Sequence, residues 1–464
     1  MKLSISWAAE EAPEREALVV DGEVFSYPEL AVEVGRTIAW LRHRGVDRST
    51  PRAAMAGSNS KPSLVLLLAL VELGVPVLLI HPRSTAAERR RQLAETGTEI
   101  FLEPPEPGSL PAAAGRESGP GTVDVDRPLA IVRTSGTAGR PKYVVLSRRA
   151  FIAAAEASAA NLGWRTGDRW LLSLPIAHVG GLSIVTRCLL ARRTVVVETA
   201  SRFDAAAITA VIVDRRVTLV SLVPTMLRRL LDLEGWRSPA HLRALLVGGA
   251  AASSELLARA ADRRLPVLTT YGLTEACSQV ATQRDGTVQR GELGCGRPVA
   301  GMEIRLRDGA IEIRGACLMD GYLGSEKESP FTADGWLRTG DLGEIDGAGN
   351  LHVLGRSDGV IVTGGENVHP LEVEQVLEDH PAITSACVFG VADDEWGQVV
   401  AAALAATEPL RDGELISFLT PRLAAFKRPR RIAYLDDLPR RSAGKLDRAL
   451  AVRQAMSLLR PLVR

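Results

Sequence analysis

The sequence predicts an α/β fold. A large N-terminal domain of parallel-rich αβα layered sheets, with a small β-region, is followed by a small α+β C-terminal domain. Three observations support this prediction. Short β-branched runs alternate with helical patterns after residue 129, hairpin-like sequence follows residue 297, and a compact strand and helix pattern follows residue 355. Continuous apolar strands between helices are typical of parallel sheets covered on both faces.

The alternating region divides into short predicted strands and longer predicted helices. The strands are 130–134, 169–174, 194–198, 218–222, 244–247 and 267–270. The helices are 148–160, 182–190, 204–214, 224–231 and 254–263. Upstream, the apolar run 64–80 divides at Glu72, Gly74 and Pro76 into a helix and a strand, each too short to span a bilayer. Buried core is therefore favoured for this run.

The remainder of the chain predicts antiparallel structure and then a smaller unit. Segments 302–306 and 310–314 are separated by Arg307, Asp308 and Gly309, which predicts a hairpin turn. Beyond residue 355, a β-α-β unit is predicted from a strand at 360–363, a helix at 370–379 and strands at 384–391 and 399–405. A length of about one hundred residues suits a separate domain.

The composition favours small-molecule chemistry over nucleic-acid binding. The 464 residues include 56 basic and 55 acidic side chains and 4% aromatic residues, so neither a basic surface nor an acidic tail is indicated. The five cysteines are odd in number and far apart, without metal-ligand spacing, which indicates reduced thiols. The N-terminal residues lack the apolar core of a signal peptide. We expect a cytoplasmic protein without a membrane span or nucleic-acid partner.

A loop at residues 134–142 combines hydroxyl groups, glycines and a lysine. Its residues are Thr134, Ser135, Gly136, Thr137, Ala138, Gly139, Arg140, Pro141 and Lys142. The glycines allow turns that bring backbone N–H groups close to phosphate oxygens, and the hydroxyls and the lysine add donors and charge. The loop does not match G-x-x-x-x-G-K-[ST], which disfavours P-loop kinases and GTPases. Its composition alone favours phosphate binding and an ordinary surface turn equally.

Further motifs follow this loop along the chain. They are 175–181 (PIAHVGG), 248–250 (GGA), 271–275 (YGLTE), 339–341 (TGD), 355–358 (GRSD) and 438–445 (LPRRSAGK). In this order, and over nearly the whole chain, the set resembles the adenylate-forming superfamily, which includes acyl-CoA synthetases, firefly luciferase and nonribosomal-peptide adenylation domains. Each motif is weakly specific by itself, whereas the ordered set is highly specific.

The resemblance implies that a carboxylic acid attacks ATP to give an acyl-adenylate and pyrophosphate, which requires neutralisation of phosphate charge. It implies that the 134–142 loop holds the β- and γ-phosphates, with Lys142 at the departing pyrophosphate. Thr274 is implied to contact the α-phosphate, and Glu275 to bind Mg²⁺, a cation that prefers oxygen ligands. Without the other motifs, residues 271–275 would be interpreted as a strand end with a helix cap.

The resemblance also implies a nucleoside site. The residues implied to enclose the adenine ring are Gly248, Gly249, Ala250 and Tyr271, and Gly272 is implied to be a further nucleotide-binding residue. Small residues let a flat base lie close to the backbone. Asp341 is implied to accept hydrogen bonds from the ribose hydroxyls, with Arg356 as a second polar contact. The alternative for Asp341 and Arg356 is a surface ion pair, which would contribute little.

The C-terminal motifs imply a change of active-site arrangement. Lys445 matches the lysine that bridges the substrate carboxylate and the α-phosphate during adenylation. Asp358 matches the hinge between domain 1–357, which binds ATP and the acid, and domain 358–464, which carries Lys445. Rotation about this hinge is implied to replace Lys445 with a face formed by Gly364, Gly365 and Glu366, which opens a channel for the thiol of coenzyme A.

Within the superfamily, the chain most resembles the o-succinylbenzoate-CoA ligases of menaquinone biosynthesis. This resemblance rests on the short length, on residues 363–370 and 174–187, and above all on Arg187. An arginine in so apolar a helix needs a partner, and a second substrate carboxylate would supply one through a bidentate contact. The alternative is that Arg187 extends its stem to the surface. His178 and Gly181 are expected beside the acyl pocket, with His178 as an aromatic gate or, alternatively, as a packed structural residue.

Three functional hypotheses follow. The first is an acid-CoA ligase that uses ATP, Mg²⁺ and coenzyme A, with o-succinylbenzoate as its acid. The second is an aryl- or fatty-acid-CoA ligase, or an enzyme that loads an acid onto a carrier protein. The third is a non-catalytic nucleotide-binding regulator, against which the joint presence of the motif residues argues. A homodimer is compatible with all three. Tyr143 and Arg133 depart from the family pattern, and they either alter nucleotide fit or pack outside the loop.

Overall fold

A computed structural model describes residues 3–111, 124–134, 142–198, 203–284, 294–324, 329–363, 366–441 and 444–463. The described residues form an α/β fold, as the sequence predicts. The helices are α1 Ile5–Glu11, α2 Tyr27–His43, α3 Lys61–Leu73, α4 Ala86–Thr96, α5 Arg148–Leu162, α6 Val179–Ala191, α7 Ala205–Asp214, α8 Pro224–Leu231, α9 Ser254–Asp262, α10 Pro370–Glu378, α11 Asp412–Leu419 and α12 Arg448–Met456.

The strands fall into four sheets. In chain order, the strands are β1 Glu16–Val20, β2 Glu23–Ser26, β3 Ala53–Ala56, β4 Val77–Ile80, β5 Phe101–Leu102, β6 Pro128–Thr134, β7 Lys142–Ser147, β8 Arg169–Leu172, β9 Thr194–Val197, β10 Leu219–Leu222, β11 Ala244–Gly248, β12 Val267–Leu273, β13 Ser278–Thr282, β14 Arg297–Pro298, β15 Met302–Arg307, β16 Ala310–Gly315, β17 Gly321–Tyr322, β18 Leu337–Ile345, β19 Leu351–Arg356, β20 Ile361–Thr363, β21 Glu366–Val368, β22 Ile383–Asp393, β23 Gly397–Ala406, β24 Arg431–Tyr434 and β25 Arg460–Pro461.

Two large sheets form the body of the molecule. The first has nine strands in the order β14-β13-β12-β11-β10-β8-β9-β1-β2, and its neighbours from β12 to β1 are parallel. The second has six strands in the order β17-β7-β6-β4-β3-β5, with β6, β4, β3 and β5 parallel. A smaller four-stranded antiparallel sheet, β15-β16-β18-β19, follows in the chain, and the fourth sheet contains β20 to β25. The predicted parallel-rich sheets are confirmed.

The largest hydrophobic core lies between the two large sheets. It combines residues of β1, β3 and β4 with residues of helices α2, α3, α5 and α6. Helices α7, α8 and α9 cover the other face of the nine-stranded sheet. Because parallel strands between two helical layers are buried on both faces, they read in the sequence as continuous apolar runs. Among the described residues, no helix has the length and apolar character that crossing a membrane requires.

Most predicted elements are present, with shifted ends. Helix α6 begins at Val179 rather than at the predicted residue 182, and its first turn contains Gly180 and Gly181. A Cβ atom at Gly181 would lie 2.3 Å from the carbonyl oxygen of Leu174, so only glycine permits this close packing. Strand β12 continues to Leu273, beyond the predicted residue 270, because the antiparallel strand β13 pairs with its end.

The hairpin prediction is confirmed, and so is the predicted β-α-β unit of the C-terminal part. Strands β15 and β16 are joined by Asp308 and Gly309, which have φ angles of 52° and 75° and form a tight hairpin turn. Strands β20 and β22 precede and follow helix α10, and both are antiparallel to β23. They therefore run in the same direction, as a β-α-β unit requires, and β23 lies between them.

Candidate active site

The 134–142 loop connects two strands of the six-stranded sheet. Thr134 at the end of β6 pairs with Lys142 at the start of β7, so the described ends of the loop are adjacent. The predicted phosphate-binding residues between them lie outside the described residues; they are Ser135, Gly136, Thr137, Ala138 and Gly139. The Lys142 ammonium nitrogen lies 4.6 Å from the centre of the Tyr322 ring. The base of the loop therefore lies beside Tyr322.

Tyr322 also contacts Glu275. Its hydroxyl donates a hydrogen bond to Oε1 of Glu275 over 3.0 Å. Burial, followed by the Glu275 carboxylate, raises the pKa of Tyr322, so the phenol remains a hydrogen-bond donor at neutral pH. The structure thus brings together the described lysine of the loop and the predicted magnesium ligand through a residue that the sequence motifs do not include.

The motif at 271–275 forms a strand end and a 3₁₀ turn. Residues Thr274–Ala276 form the turn, and its N-cap is Leu273, whose side chain makes no capping hydrogen bond. The helix-cap alternative for this motif is therefore wrong. Gly272 lies where β12 and β13 are close, since a Cβ atom there would lie 1.8 Å from the carbonyl oxygen of Ser278. The backbone requires glycine at this position before any role in nucleotide binding is considered.

Tyr271, Asp341 and Arg356 form one polar cluster. The Tyr271 hydroxyl donates to Oδ2 of Asp341 over 2.6 Å, and Nη1 of Arg356 lies 3.1 Å from Oδ1 of the same carboxylate. Asp341 and Arg356 are opposite each other on β18 and β19. The ion pair considered as an alternative is thus present. It does not exclude ribose binding, because each carboxylate oxygen can accept more than one hydrogen bond.

The predicted adenine loop follows strand β11. A Cβ atom at Gly248 would lie 2.8 Å from the carbonyl oxygen of Thr270 on the neighbouring strand, so a side chain is excluded there. Gly249 has a φ angle of 79°, which favours glycine, and Ala250 after it is exposed. The small residues of this loop are therefore explained partly by backbone geometry.

Lys445 reaches this loop from the C-terminal part of the chain. Its Cε atom lies 3.3 Å from the position that a Cβ atom of Gly249 would occupy. Burial lowers the pKa of Lys445, while the carboxylates of Asp341 and Glu275 oppose this shift. The residue retains exposed surface, so water reaches part of the side chain, but its surroundings still include both acidic residues of the site. The structure therefore brings together Lys445, Gly249, Asp341 and Glu275.

His178 lies at the N-cap of helix α6. Its Nε2 atom is buried and has no hydrogen-bond partner among the described residues, and its ring centre lies 5.4 Å from that of His81. Burial lowers the pKa of His178 to about 4, and the positive charges of His81, Lys445 and Arg83 act in the same direction. His178 is therefore neutral at pH 7 and lies on the Lys445 side of α6.

Arg187 is buried in the interior of the same helix. Only 2% of its surface is exposed, so the alternative in which its stem extends to the surface is wrong. Its guanidinium carbon lies 5.5 Å from the centre of the Trp170 ring. Two guanidinium nitrogens, Nε and Nη2, have no hydrogen-bond partner among the described residues. Burial lowers the pKa of Arg187 to about 10, which leaves it protonated at neutral pH.

The remaining predicted positions lie at the start of the C-terminal part. Asp358 is in the 3₁₀ turn Ser357–Gly359, directly after β19. Glu366 begins strand β21 and is exposed, whereas Gly364 and Gly365 lie outside the described residues.

Within the described ranges, no group of three or more His, Cys, Asp or Glu side chains is arranged to hold a metal ion. The five cysteines are free thiols, as the sequence predicts.

The two residues that depart from the family pattern, Tyr143 and Arg133, have different surroundings in the structure. Tyr143 is buried on the far face of the six-stranded sheet, where its hydroxyl donates to Oε2 of Glu95 over 2.5 Å. Tyr143 therefore packs outside the loop, because successive residues of a strand point to opposite faces. Arg133 is exposed and precedes the loop on β6.

Two further residues of the site, Tyr322 and His81, are not part of the sequence motifs. The sequence signal that could have found His81 is its position directly after the buried strand β4.

Comparison with known proteins agrees with this geometry. The model of the AMP-binding enzyme family matches residues 5–323, and that of the AMP-binding enzyme C-terminal domain matches residues 372–445. A 2-succinylbenzoate–CoA ligase of Bacillus pumilus is 36% identical over 94% of each chain. The o-succinylbenzoate CoA synthetase (MenE) of Bacillus subtilis, solved with the acyl-adenylate intermediate OSB-AMP, has a TM-score of 0.87 at 32% identity over 96% of each chain.

The same Bacillus subtilis enzyme solved with ATP and magnesium has a TM-score of 0.86 at 32% identity, over 96% of this chain and 98% of that one. The family models, the nearly full-length relatives and the convergence of Lys142, Glu275, Asp341 and Lys445 agree. This chain belongs to the AMP-binding enzyme family.

Proposed function

We propose that this chain is an ATP-dependent ligase that joins o-succinylbenzoate to coenzyme A through an acyl-adenylate, with release of AMP and pyrophosphate. The names of its relatives support the choice of substrate. The observation that carries the choice in this chain is the buried guanidinium of Arg187, which has two nitrogens without a partner among the described residues. A substrate with two carboxylates can present one to Arg187 and the other to ATP.

The proposed adenylation step uses charges at the two ends of the triphosphate. Lys445 stabilises the approaching carboxylate and the α-phosphate, and Lys142 stabilises the departing pyrophosphate, since fixed positive charge lowers the energy of charge that develops in the transition state. Asp341 and the adjacent Arg356 hold the ribose, while Tyr271 fixes Asp341 through its 2.6 Å hydrogen bond. Thr274, in the turn that carries Glu275, lies next to the α-phosphate in this proposal.

Glu275 suits a magnesium ion. One of its oxygens, Oε1, accepts the Tyr322 hydroxyl, whereas no described residue donates a hydrogen bond to Oε2. A carboxylate oxygen is the type of ligand that Mg²⁺ prefers, and Mg²⁺ in nucleotide sites is often held by one or two carboxylates together with phosphate oxygens and water. When bound, the ion supplies positive charge that screens the phosphates from the incoming carboxylate.

The substrate's second carboxylate is proposed to pair with Arg187. A buried charge without a partner is costly, and a carboxylate compensates it best through two parallel hydrogen bonds from one guanidinium. Trp170 packs near the guanidinium, and the two nitrogens without a partner are available for such a contact. His178 and Gly181, at the start of α6, form the entrance side of the acyl pocket in this proposal.

The second half-reaction requires rotation of the C-terminal domain, residues 358–464, about Asp358 in this proposal. Lys445 leaves the site, and the segment that includes Gly364, Gly365 and Glu366 replaces it beside the adenylate. The thiol of coenzyme A then attacks the acyl carbonyl carbon, and AMP leaves.

The five free cysteines suit a reducing compartment, so the proposal assigns the enzyme to the cytoplasm.

A panel of acids tests the proposal. AMP release is measured with ATP, Mg²⁺ and coenzyme A for o-succinylbenzoate, benzoate and octanoate. We expect turnover of o-succinylbenzoate at least about a hundredfold above benzoate in kcat/KM, since the missing charged contact is worth a factor of this order. Equal turnover of the three acids would contradict the proposed substrate. AMP release that does not depend on coenzyme A but requires a carrier protein would contradict the proposed acceptor.

Substitution of Arg187 tests the contact that determines the substrate. We expect Arg187→Ala to lower kcat/KM for o-succinylbenzoate about a hundredfold, and for benzoate less than about threefold, because only the first acid has a second carboxylate. Arg187→Lys keeps the charge but loses the planar fork, so an intermediate loss is expected. If Arg187→Ala reduces the turnover of both acids to the same degree, Arg187 does not recognise the second carboxylate.

A further inference from the structure

The segment that carries Tyr322 connects two parts of the site through its backbone. The N–H of Met319 donates to the carbonyl of Glu275 over 2.8 Å. Farther along, the N–H groups of Asp320 and Leu323 donate to the carbonyls of Val145 and Tyr143 on β7, over 3.0 and 2.8 Å. Five residues therefore connect the turn of Glu275 to the strand that begins at Lys142.

The side chain of Tyr322 makes the same connection. Its hydroxyl donates to Glu275 over 3.0 Å, and its ring lies beneath the Lys142 ammonium, which is 4.6 Å from the ring centre. A cation over an aromatic face is attracted by the negative potential of that face. One side chain thus holds an acidic and a basic group of the site by two different interactions.

Strand alternation explains why Tyr322 points into the site. It pairs with Val144 on β7, and the next residue, Leu323, packs with Tyr143 on the far face of the sheet. Tyr322 therefore lies on the face of the sheet that Lys142 also occupies. Gly321 before it has a φ angle of 149°, a conformation that side-chain-bearing residues rarely adopt, which orients the strand.

We infer that Tyr322 is a positioning residue that fixes the Glu275 carboxylate and the Lys142 ammonium in one arrangement for MgATP. The inference rests on the proposed function, because it assigns Glu275 to Mg²⁺ and Lys142 to the phosphates. The hydroxyl occupies Oε1 of Glu275 and leaves Oε2 as the oxygen that would bind the metal. The ring limits the positions that the Lys142 ammonium can take. In this role Tyr322 acts through Glu275 and Lys142.

Removal of the hydroxyl tests the contact with Glu275. For Tyr322→Phe, we expect the gain in ATP affinity caused by Mg²⁺, measured by calorimetry with Mg²⁺ and with EDTA, to fall about tenfold, as for the loss of one hydrogen bond to a charged group. ATP affinity in EDTA should change less than about twofold. In pyrophosphate exchange, the Mg²⁺ concentration for half-maximal rate should rise about tenfold, while the KM for the acid stays constant.

Tyr143→Phe is the matched control. Its hydroxyl also donates to a glutamate, Glu95, but from the far face of the same sheet. We expect it to leave the Mg²⁺ response unchanged. The double variant Tyr322→Phe with Glu275→Gln provides a second test, since Tyr322→Phe should have little further effect once the carboxylate is absent. A full additional effect in the double variant would overturn the inference.

Removal of the ring tests the contact with Lys142. In Tyr322→Leu, we expect the gain in ATP affinity caused by Mg²⁺ to fall as it does in Tyr322→Phe. In addition, Tyr322→Leu should raise the KM for pyrophosphate in the exchange reaction several-fold, whereas Tyr322→Phe should leave it unchanged. An unchanged Mg²⁺ response in Tyr322→Phe would overturn the inference while leaving the proposed function intact. Absence of acid-dependent exchange in the unaltered chain would instead count against the proposed function.

Discussion

Lys445 shows how surroundings can adapt one side chain to its task. A lysine ammonium in water is strongly hydrated, and this hydration competes with its contacts to a substrate. Here, burial lowers the pKa of Lys445, and the carboxylates of Asp341 and Glu275 counter this shift. The two carboxylates therefore favour the charged form of the lysine, whereas burial disfavours it.

The proposed role of Lys445 predicts that the two half-reactions respond differently to its loss. We expect Lys445→Ala to reduce acyl-adenylate formation by at least about a thousandfold, since a charge that acts in the transition state is removed. Thioester formation from supplied acyl-adenylate should be largely unchanged. Pyrophosphate exchange and single-turnover thioester formation measure the two steps separately. Equal losses in both steps would contradict the role.

Single residues differ in how well the sequence predicts them. Motif residues such as Glu275, Asp341 and Lys445 are predictable because neighbours in the sequence identify them, and the structure brings them together. Tyr322 is not predictable in this way, because its contacts depend on the pairing of β17 with β7. For Arg187, the sequence allows burial or extension to the surface. Only the packing of α6 between the two sheets decides in favour of burial.

At the scale of single elements, helix α10 shows how one helix face can hold two buried acids with different partners. Glu374 and Glu378 are four residues apart and therefore share a face of the helix. Glu374 is paired with Arg448, whereas Glu378 accepts the N–H of Ala386 over 3.0 Å and has no salt-bridge partner among the described residues. Burial, with Glu374 adding to the effect, raises the pKa of Glu378 to about 7.

The raised pKa of Glu378 predicts a loss of stability between pH 4.5 and 7. The Glu378 carboxyl holds its proton more tightly in the folded chain than in the unfolded chain. The free energy of unfolding is therefore highest below the pKa that Glu378 has in the unfolded chain, and it falls as the pH rises to the pKa in the folded chain. The decrease in the free energy of unfolding over this pH range should be smaller in Glu378→Gln than in the unaltered chain, by up to about 3 kcal/mol. Urea unfolding at pH 5 and pH 8 measures this free energy, and Glu408→Gln, at an exposed position, is the control. The same pH dependence in Glu378→Gln and the unaltered chain would contradict this.

Elements also differ in predictability for physical reasons. Helices and strands with clear periodicity, such as α8 at Pro224–Leu231, match the predicted bounds. The position of β23 between β20 and β22 does not follow from periodicity, because apolar runs do not show which strands are neighbours in a sheet. The early start of α6 depends on close backbone contacts at Gly181, which involve the preceding loop rather than the helix itself.

At the scale of the whole molecule, the C-terminal part contacts the large part at several points, and two of them lie far apart in the sequence. Lys445 reaches Gly249, and Oδ1 of Asp379 accepts the backbone N–H of Glu255 over 3.1 Å. Glu255 lies in the first turn of α9, where the N–H groups lack partners within the helix and favour negative charge. Asp379, at the end of α10, therefore caps a helix of the large part.

The Asp379 contact predicts a change in the balance between the two half-reactions. Under the proposed rotation, this contact exists only when Lys445 is in the site. We expect Asp379→Ala to slow pyrophosphate exchange about three- to tenfold, as for loss of a helix cap, without slowing thioester formation from supplied acyl-adenylate. Asp393→Ala, which removes a carboxylate from a local turn, is the control. Equal slowing of both steps by Asp379→Ala would contradict a role in this arrangement.

The burial of Arg187 has a consequence for how this enzyme can change. An unpaired charge in the core lowers the stability of the free protein, and its replacement by an apolar side chain of similar size often raises stability. The residue proposed to select the substrate is thus one that folding alone would disfavour. Selection for a robust fold and selection for a dicarboxylic acid act in opposite directions on the same codon, which makes this position a trade-off between stability and specificity.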